Sequence, residues 1–157
     1  MVRYVVECSS DEMLLLALGA TRKQVIHEAN RDEVVKYVLK KPPGECLGMI
    51  DEDPTTVHGR QRRQFQEGLV THDLCIANFQ GRELVVLKPI LEGWLIKAVR
   101  ASGGKMTEID KGLSDDISEL HKRLSPRGDA RLRKVIAFLD AKGSPHLQTL
   151  RKSLSLG

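Results

Sequence analysis

One stretch of the sequence constrains the fold more than any other: "CLGMIDEDP", residues 46–54. Its first half is a continuous apolar run, which is typical of a strand covered on both faces within an α/β sheet. Its second half places Asp51, Glu52 and Asp53 side by side before a proline. Three like charges repel one another at the mouth of such a strand, so something positive must compensate them.

The segments around this strand alternate between strand and helix patterns. β-forming runs occupy residues 3–8, 23–29, 45–53, 74–79 and 82–88, and helix patterns occupy 9–19, 30–41 and 89–102. Asn30 is a candidate cap for the second helix, and Pro89 is a candidate first residue of the third. The alternation predicts an α/β fold: a Rossmann-like, mostly parallel sheet with flanking helices and right-handed crossovers.

The rest of the chain is polar or helical. Residues 55–70 predict a loop with a short helix, and helices are expected at about 107–124, 127–141 and 145–154, separated by "SPRGD" and "KGSP". We expect an α/β domain over 1–104 and a basic helical extension over 105–157 that packs on it. Residues 97–157 hold 13 Lys and Arg against 7 Asp and Glu, which fits either a polyanionic substrate or an ordinary solvated helical face.

Acidic residues follow two of the predicted strands. Glu7 ends the first, Asp51 and Asp53 end the third, and Asp11 lies one helical turn beyond Glu7. Ligands bind at the carboxyl ends of strands in such sheets, so neighbouring first and third strands would bring these carboxylates together. The cluster could bind a hard cation, share a proton or face water. A site for Mg²⁺ (or Mn²⁺) is favoured.

The two motifs "VVECSSDEMLLLALG" and "LGMIDEDP" resemble the Toprim pattern over roughly residues 3–100. The resemblance implies a metal-dependent phosphoryl-transfer domain of the kind found in primases, topoisomerases and overcoming-lysogeny type nucleases. Glu7 matches the family's general acid or base and metal ligand, Asp51 and Asp53 match its metal-binding pair, and Asp11 matches its second acidic position. Two positions that are usually glycine in the family are Cys8 and Thr56 here. With these differences, the sequence resembles the small stand-alone bacterial members of the family.

Further candidates lie outside these motifs. Lys88 could reach a scissile phosphate, and Glu92, in the first turn of the next helix, could be a further metal carboxylate, although both residue types are also ordinary at such positions. The densest basic patch could hold a nucleic-acid backbone through its phosphates, or it could be a solvated loop; it consists of Arg60, Arg62 and Arg63.

Three functions remain open from the sequence. The first is a Mg²⁺-dependent nuclease acting on DNA or RNA. The second is a non-catalytic module that binds metal or a partner, for example an accessory subunit beside a separate ATPase in a phage-defence complex. The third is a receiver-like domain with Asp51 as phosphoacceptor. No apolar run reaches the roughly 20 residues of a membrane helix and no signal peptide is recognised, so we expect a cytoplasmic protein.

The spacing of the acidic run also predicts its geometry. Side chains alternate along an extended segment, so Asp51 and Asp53 should point to one side and Glu52 to the other. We therefore expect Asp51 and Asp53 to face Glu7, and Glu52 to turn away or towards a basic neighbour.

Overall fold

The structure is a computed structural model that describes residues 1–124 and 129–157. The predicted separator at 125–128, and with it the start of the helix expected at 127, lies outside the described residues. The described elements are, in chain order, β1 (Arg3–Val6), α1 (Ser9–Ala17), β2 (Val25–His27), α2 (Arg31–Lys40), β3 (Cys46–Asp51), β4 (Gln66–Glu67), β5 (Leu74–Phe79), β6 (Arg82–Leu87), α3 (Leu91–Ala101), α4 (Met106–Ile109), α5 (Ile117–Leu124), α6 (Asp129–Ala141) and α7 (Pro145–Leu154). Single 3₁₀ turns lie at Arg22–Gln24 and Arg62–Gln64.

The six strands form one mixed sheet in the order β2-β1-β3-β6-β5-β4. β2, β1, β3 and β6 are parallel, whereas β5 and β4 are antiparallel to their neighbours. The expected α/β class with a mostly parallel sheet is confirmed. Strand β5 is antiparallel to β6 because the connection between them consists only of Gln80 and Gly81, both at positive φ. Two residues can close a hairpin but cannot make the crossover that a parallel pair requires.

Helices cover both faces of the sheet. The valines of α2 pack on one face against Val5, Ile50 and Val86. Buried residues of α1, α3 and the later helices pack on the other face, together with Leu47 and Met49 of β3. The hydroxyl of Tyr4 in β1 donates to the carbonyl of Leu154 at 2.6 Å, so the last helix reaches the first strand. The division of the chain at residue 104 stays a prediction.

Two helix predictions are corrected by the structure. The helix expected at 107–124 is two short helices, because carboxylates between them accept backbone N–H groups: Asp110 from Gly112, and Asp115 from Met106. Such local hydrogen bonds offer the backbone an alternative to the helix. The third predicted helix begins at Leu91, not at Pro89. Other local predictions hold, since the Asn30 side chain caps α2 by accepting from the Glu33 amide at 3.0 Å.

Among the described residues, no helix is long and apolar enough to cross a membrane.

Candidate functional site

The carboxyl ends of β1, β3 and β6 meet at one edge of the sheet. Strand β1 pairs in parallel with β3, with Val5 opposite Gly48, and Asp51 at the end of β3 lies opposite Leu87 of β6. Glu7 follows β1 directly. Helices α1 and α3 both begin at this edge, and their first turns carry Asp11 and Glu92. Four acidic residues that are far apart in the sequence therefore converge here.

Most of this acidic cluster, defined as Glu7, Asp11, Asp51 and Glu92, is withdrawn from water. Asp11 is only 3% exposed and Glu92 only 5%. Burial, reinforced by the negative charges of Glu7 and Glu92, raises the pKa of Asp11 to about 7, although hydrogen bonds from Cys8 oppose the rise. Burial and the charges of Asp11, Glu92 and Glu7 raise the pKa of Asp51 to about 8. Near neutral pH the cluster therefore retains protons that isolated carboxyl groups would have lost.

Asp51 also has a structural task. Its Oδ1 atom accepts a hydrogen bond from the backbone N–H of Leu91 at 2.9 Å, which satisfies one of the free amides at the start of α3. This bond lowers the pKa of Asp51 and opposes part of the rise that burial produces. The sequence predicted Pro89 as the first residue of that helix. The structure shows instead that a carboxylate from β3 supports the helix start.

A cavity of about 290 Å³ opens beside the cluster, and it is lined by Glu7, Asn30, Arg31, Asp32, Asp51, Asp53, Thr56 and Val57. Glu7, Asp51 and Asp53 therefore border one space, as the spacing predicted, but alternation is not the reason for Asp53. Its φ of +45° is left-handed, and its amide donates to the carbonyl of Pro89 at 2.8 Å. A turn, rather than an extended strand, brings Asp53 to the cavity.

Arg31 is a feature of this site that the sequence reasoning missed. Its guanidinium donates to the carbonyl of Glu52 at 2.7 Å and to the Thr56 hydroxyl at 2.8 Å, which braces the loop after β3. It also places a permanent positive charge on the wall of the cavity. A signal was available, because Arg31 opens the helix after β2 and helices that follow parallel strands begin at the same edge as the site.

Glu52 turns away from the acidic cluster and pairs with Lys88, as the alternation predicted. Lys88 also contacts Glu67 at 3.0 Å, and Glu67 pairs with Arg62 at 2.6 Å. Burial would raise the pKa of Glu67, but hydrogen bonds from Lys88 and Arg62 outweigh it and lower the value to about 2. We call these four residues the charge ladder.

The charge ladder engages two residues that the sequence predicted for the site, Lys88 and Arg62. Lys88 is engaged by two carboxylates and is not among the residues that line the cavity. Arg62 is 3% exposed and serves the ladder, so it does not belong to an exposed basic patch. Arg60 and Arg63 are exposed, as the prediction requires. Their binding to nucleic acid stays a prediction.

Glu92 has a partner that the sequence did not indicate. The Nδ1 atom of His121 lies 3.0 Å from its Oε2 atom, and the imidazole is 64% exposed while the carboxylate is buried. The pair joins α5 to the acidic cluster. It links residues 29 positions apart on two helices, so no local spacing rule could have found it.

The donors of the cluster suit a hard cation, because all of them are carboxylate oxygens. Among residues 1–124 and 129–157, however, no three His, Cys, Asp or Glu side chains lie close enough to hold a metal ion as they stand. A metal would have to draw the carboxylates together as it displaced their protons.

Comparison of the chain with known protein families, with curated proteins and with solved structures finds no significant match in any of the three.

Proposed function

We propose that this protein is a Mg²⁺- or Mn²⁺-dependent phosphoryl-transfer protein of Toprim type, and that it hydrolyses nucleic acid. One observation carries the proposal: Glu7, Asp11, Asp51 and Glu92 converge on the carboxyl edge of a mostly parallel sheet beside an open cavity. Two of these carboxyl groups, those of Asp11 and Asp51, have raised pKa values, and perturbed groups in such a position are typical of functional sites.

The residues that would hold the metal are those that meet at this edge, namely Glu7, Asp51 and Asp53 on the cavity, with Asp11 and Glu92 behind them. Their oxygen atoms and net negative charge suit Mg²⁺ or Mn²⁺ by donor type. When bound, such an ion supplies Lewis acidity, which offsets the charge that develops on a phosphate and makes a water more acidic.

The side chains of the chain have separate tasks in this proposal. Glu7 is partly exposed on the cavity wall, so its carboxylate can exchange a proton with a substrate or a water. Asp11 is buried behind it, and its pKa of about 7 leaves its carboxyl group partly protonated at neutral pH. Arg31 offers a fixed positive charge on the wall of the same cavity, where a phosphate oxygen could be received.

Thermal melts with and without millimolar Mg²⁺ or Mn²⁺ test the metal site. A ligand at a hundredfold excess over its Kd stabilises the folded state by about 2.7 kcal/mol. For a chain of this size the melting midpoint should rise by roughly 5–10 °C. The shift should vanish in Asp51→Asn and Asp53→Asn and survive in Glu52→Gln, whose side chain belongs to the charge ladder. Loss of the shift in Glu52→Gln with retention in Asp53→Asn would contradict the assignment.

Cleavage of plasmid and oligonucleotide substrates with either metal tests the activity. Wild-type protein should cleave, and Asp51→Asn should lose most of that activity because a metal ligand is gone. Equal cleavage by both proteins would rule out the mechanism.

The second candidate is a non-catalytic module that binds metal or a partner, such as an accessory subunit of a phage-defence ATPase. Two observations favour it: the described residues lack a ready three-ligand arrangement, and Lys88 is held by Glu52 and Glu67. A metal-dependent rise in the melting midpoint without turnover, alone or with an ATPase encoded beside it, would support this function. The structure argues against a receiver-like domain, because the strands of receivers are all parallel in the order 2-1-3-4-5, whereas β5 here is antiparallel to β6.

A further inference from the structure

The last turn of α5 lies against the proposed site. His121 contacts Glu92 of the acidic cluster at 3.0 Å, and the next two residues are Lys122 and Arg123. All three side chains are exposed, while Leu120 and Leu124 anchor the helix in the core. We call His121, Lys122 and Arg123 the basic turn. Its position is fixed from both sides, by leucines below and by Glu92 beside it.

Most of the charge of the basic turn is available to a ligand. Lys122 has one acidic contact, with Glu119 of the same helix at 3.4 Å, and the two side chains are 71% and 47% exposed. An exposed pair of this kind contributes little energy and exchanges readily. Arg123 makes no ion pair among the described residues, and its carbonyl accepts from Arg131 of α6 at 3.3 Å, which adds a third fixed cation to the surface.

A polyanion needs such cations at this place. The acidic cluster repels phosphates, and a single bound divalent ion would offset only part of its charge. The basic turn is joined to α3 through His121. The exposed Arg60 and Arg63 belong to a loop whose Thr56 and Gly59 lie against Arg31 and Asp32 at the start of α2. A phosphate chain that crosses the edge would therefore meet positive charge on both sides of the cluster.

The aromatic residues indicate which form of nucleic acid fits. Proteins that bind single strands stack bases on exposed aromatic rings. All six aromatic side chains of this protein lie in the described residues, and each is buried or partly buried. A surface with cations and without exposed Phe, Tyr or Trp rings suits the backbone of a duplex, where the bases are already stacked on one another.

We infer that the basic turn binds the phosphate backbone of a nucleic-acid duplex and delivers a phosphodiester to the acidic cluster. The inference rests on the proposed function for its purpose, but the contact itself can be measured separately. Binding through this surface should be independent of sequence and sensitive to salt.

The experiment measures binding of a short fluorescent DNA duplex by anisotropy over a series of salt concentrations. The variant carries Lys122→Gln and Arg123→Gln, and His121 is kept because it contacts Glu92. Each lost phosphate contact should lower the slope of log K against log salt by about 0.9, so the variant should lose roughly 2 units of slope and bind on the order of tenfold more weakly.

The matched control carries Lys40→Gln and Arg100→Gln, which removes the same charge. Both residues are exposed in the last turns of α2 and α3, at the edge of the sheet opposite the site. The control should bind the duplex nearly as well as wild type. An equal loss in both variants would reduce the effect to net charge and overturn the inference, as would unchanged binding after substitution of the basic turn.

Further arms separate this inference from the proposed function. The basic-turn variant should keep the metal-dependent rise in melting midpoint, while Asp51→Asn should lose that rise and still bind the duplex. Stronger binding of a single strand than of both a DNA duplex and an RNA duplex would overturn the choice of ligand. If wild type showed no metal shift and no cleavage but bound duplex through the basic turn, the inference would stand and the proposed function would fail.

Discussion

Two consecutive residues, Asp51 and Glu52, enter opposite electrostatic environments at the end of β3. Asp51 joins the acidic cluster, where burial and its acidic neighbours raise its pKa to about 8. Glu52 joins the charge ladder, in which positive and negative groups alternate through Lys88, Glu67 and Arg62. In that ladder the pKa of Glu67 falls to about 2, because its cationic partners outweigh its burial.

The difference separates carboxylates that the fold pairs with lysine or arginine from carboxyl groups that lie mainly beside one another. The ladder resembles an ordinary structural ion-pair network, since each carboxylate has a cation within contact distance. The cluster has Arg31 on the cavity wall, but that guanidinium donates its hydrogen bonds to backbone carbonyls and a hydroxyl rather than to a carboxylate. Removal of a charged side chain should therefore lower the free energy of unfolding in the ladder and raise it in the acidic cluster.

The largest effect is expected in the ladder. Lys88→Met keeps the volume of the side chain but leaves Glu52 and Glu67 short of a cation. Fully buried pairs lose about 3–5 kcal/mol when one partner is removed, and partial exposure here should reduce the loss to about 2–3 kcal/mol. The melting midpoint should fall by roughly 5–10 °C at pH 7, as measured by circular dichroism.

Lys97→Met is the control for that loss. Lys97 pairs with Asp73 at 3.3 Å, but its side chain is 49% exposed, so its removal should lower stability by less than about 1 kcal/mol. A double variant with Lys88→Met and Glu52→Gln should recover part of the ladder's loss. Equal effects of Lys88→Met and Lys97→Met would show that the ladder is no more than surface pairing.

The opposite sign is expected in the acidic cluster. The pKa of Asp51 is raised from 3.8 to about 8 by folding, so the folded state holds a proton that the unfolded state has released. The resulting stabilisation is complete below pH 3.8 and is lost as the pH rises through about 8. Asn has no ionisable carboxyl group, so Asp51→Asn removes the free-energy cost of ionising this side chain in the folded state. In a chelator-containing buffer at pH 8 it should stabilise the protein by on the order of 2 kcal/mol, or about 4–8 °C.

At pH 5 the same substitution should stabilise the protein less than at pH 8, because that pH lies close to the unfolded-state pKa of 3.8 and only a small part of the stabilisation has been lost. Glu52→Gln should destabilise the protein at pH 8, since its carboxylate has Lys88 as a partner. If Asp51→Asn were as destabilising as Glu52→Gln at pH 8, the distinction between the two regions would collapse.

A smaller effect separates the two tasks of Asp51. Asn keeps an oxygen that can accept from the Leu91 amide, whereas Ala does not. Loss of such a cap costs about 1 kcal/mol, so Asp51→Ala should melt roughly 2–4 °C below Asp51→Asn at pH 5 and at pH 8 alike, because neither side chain carries a charge. Identical midpoints would show that the bond contributes nothing to α3.

Local patterns in the sequence determined the elements that meet at the site. The apolar run of β3 predicts a strand covered on both faces, and parallel topology sends the ends of β1 and β3 to one edge. Glu7 and Asp51 were therefore expected to meet if these strands are neighbours, and the structure shows that they are. Alternation predicted the separation of Asp51 from Glu52. These rules succeed because they depend only on neighbours in the chain and on the direction of the strands.

Tertiary structure decided which charges have partners. Lys88 reaches Glu67 across 21 positions, His121 reaches Glu92 across 29, and Asp51 caps a helix 40 positions away. Arg62 reads as part of an exposed basic patch in the sequence, yet it is buried against Glu67. Such pairings depend on how segments pack after the sheet has formed. The sequence therefore located the carboxylates, and only the packing of β4, α3 and α5 determined which of them remain uncompensated.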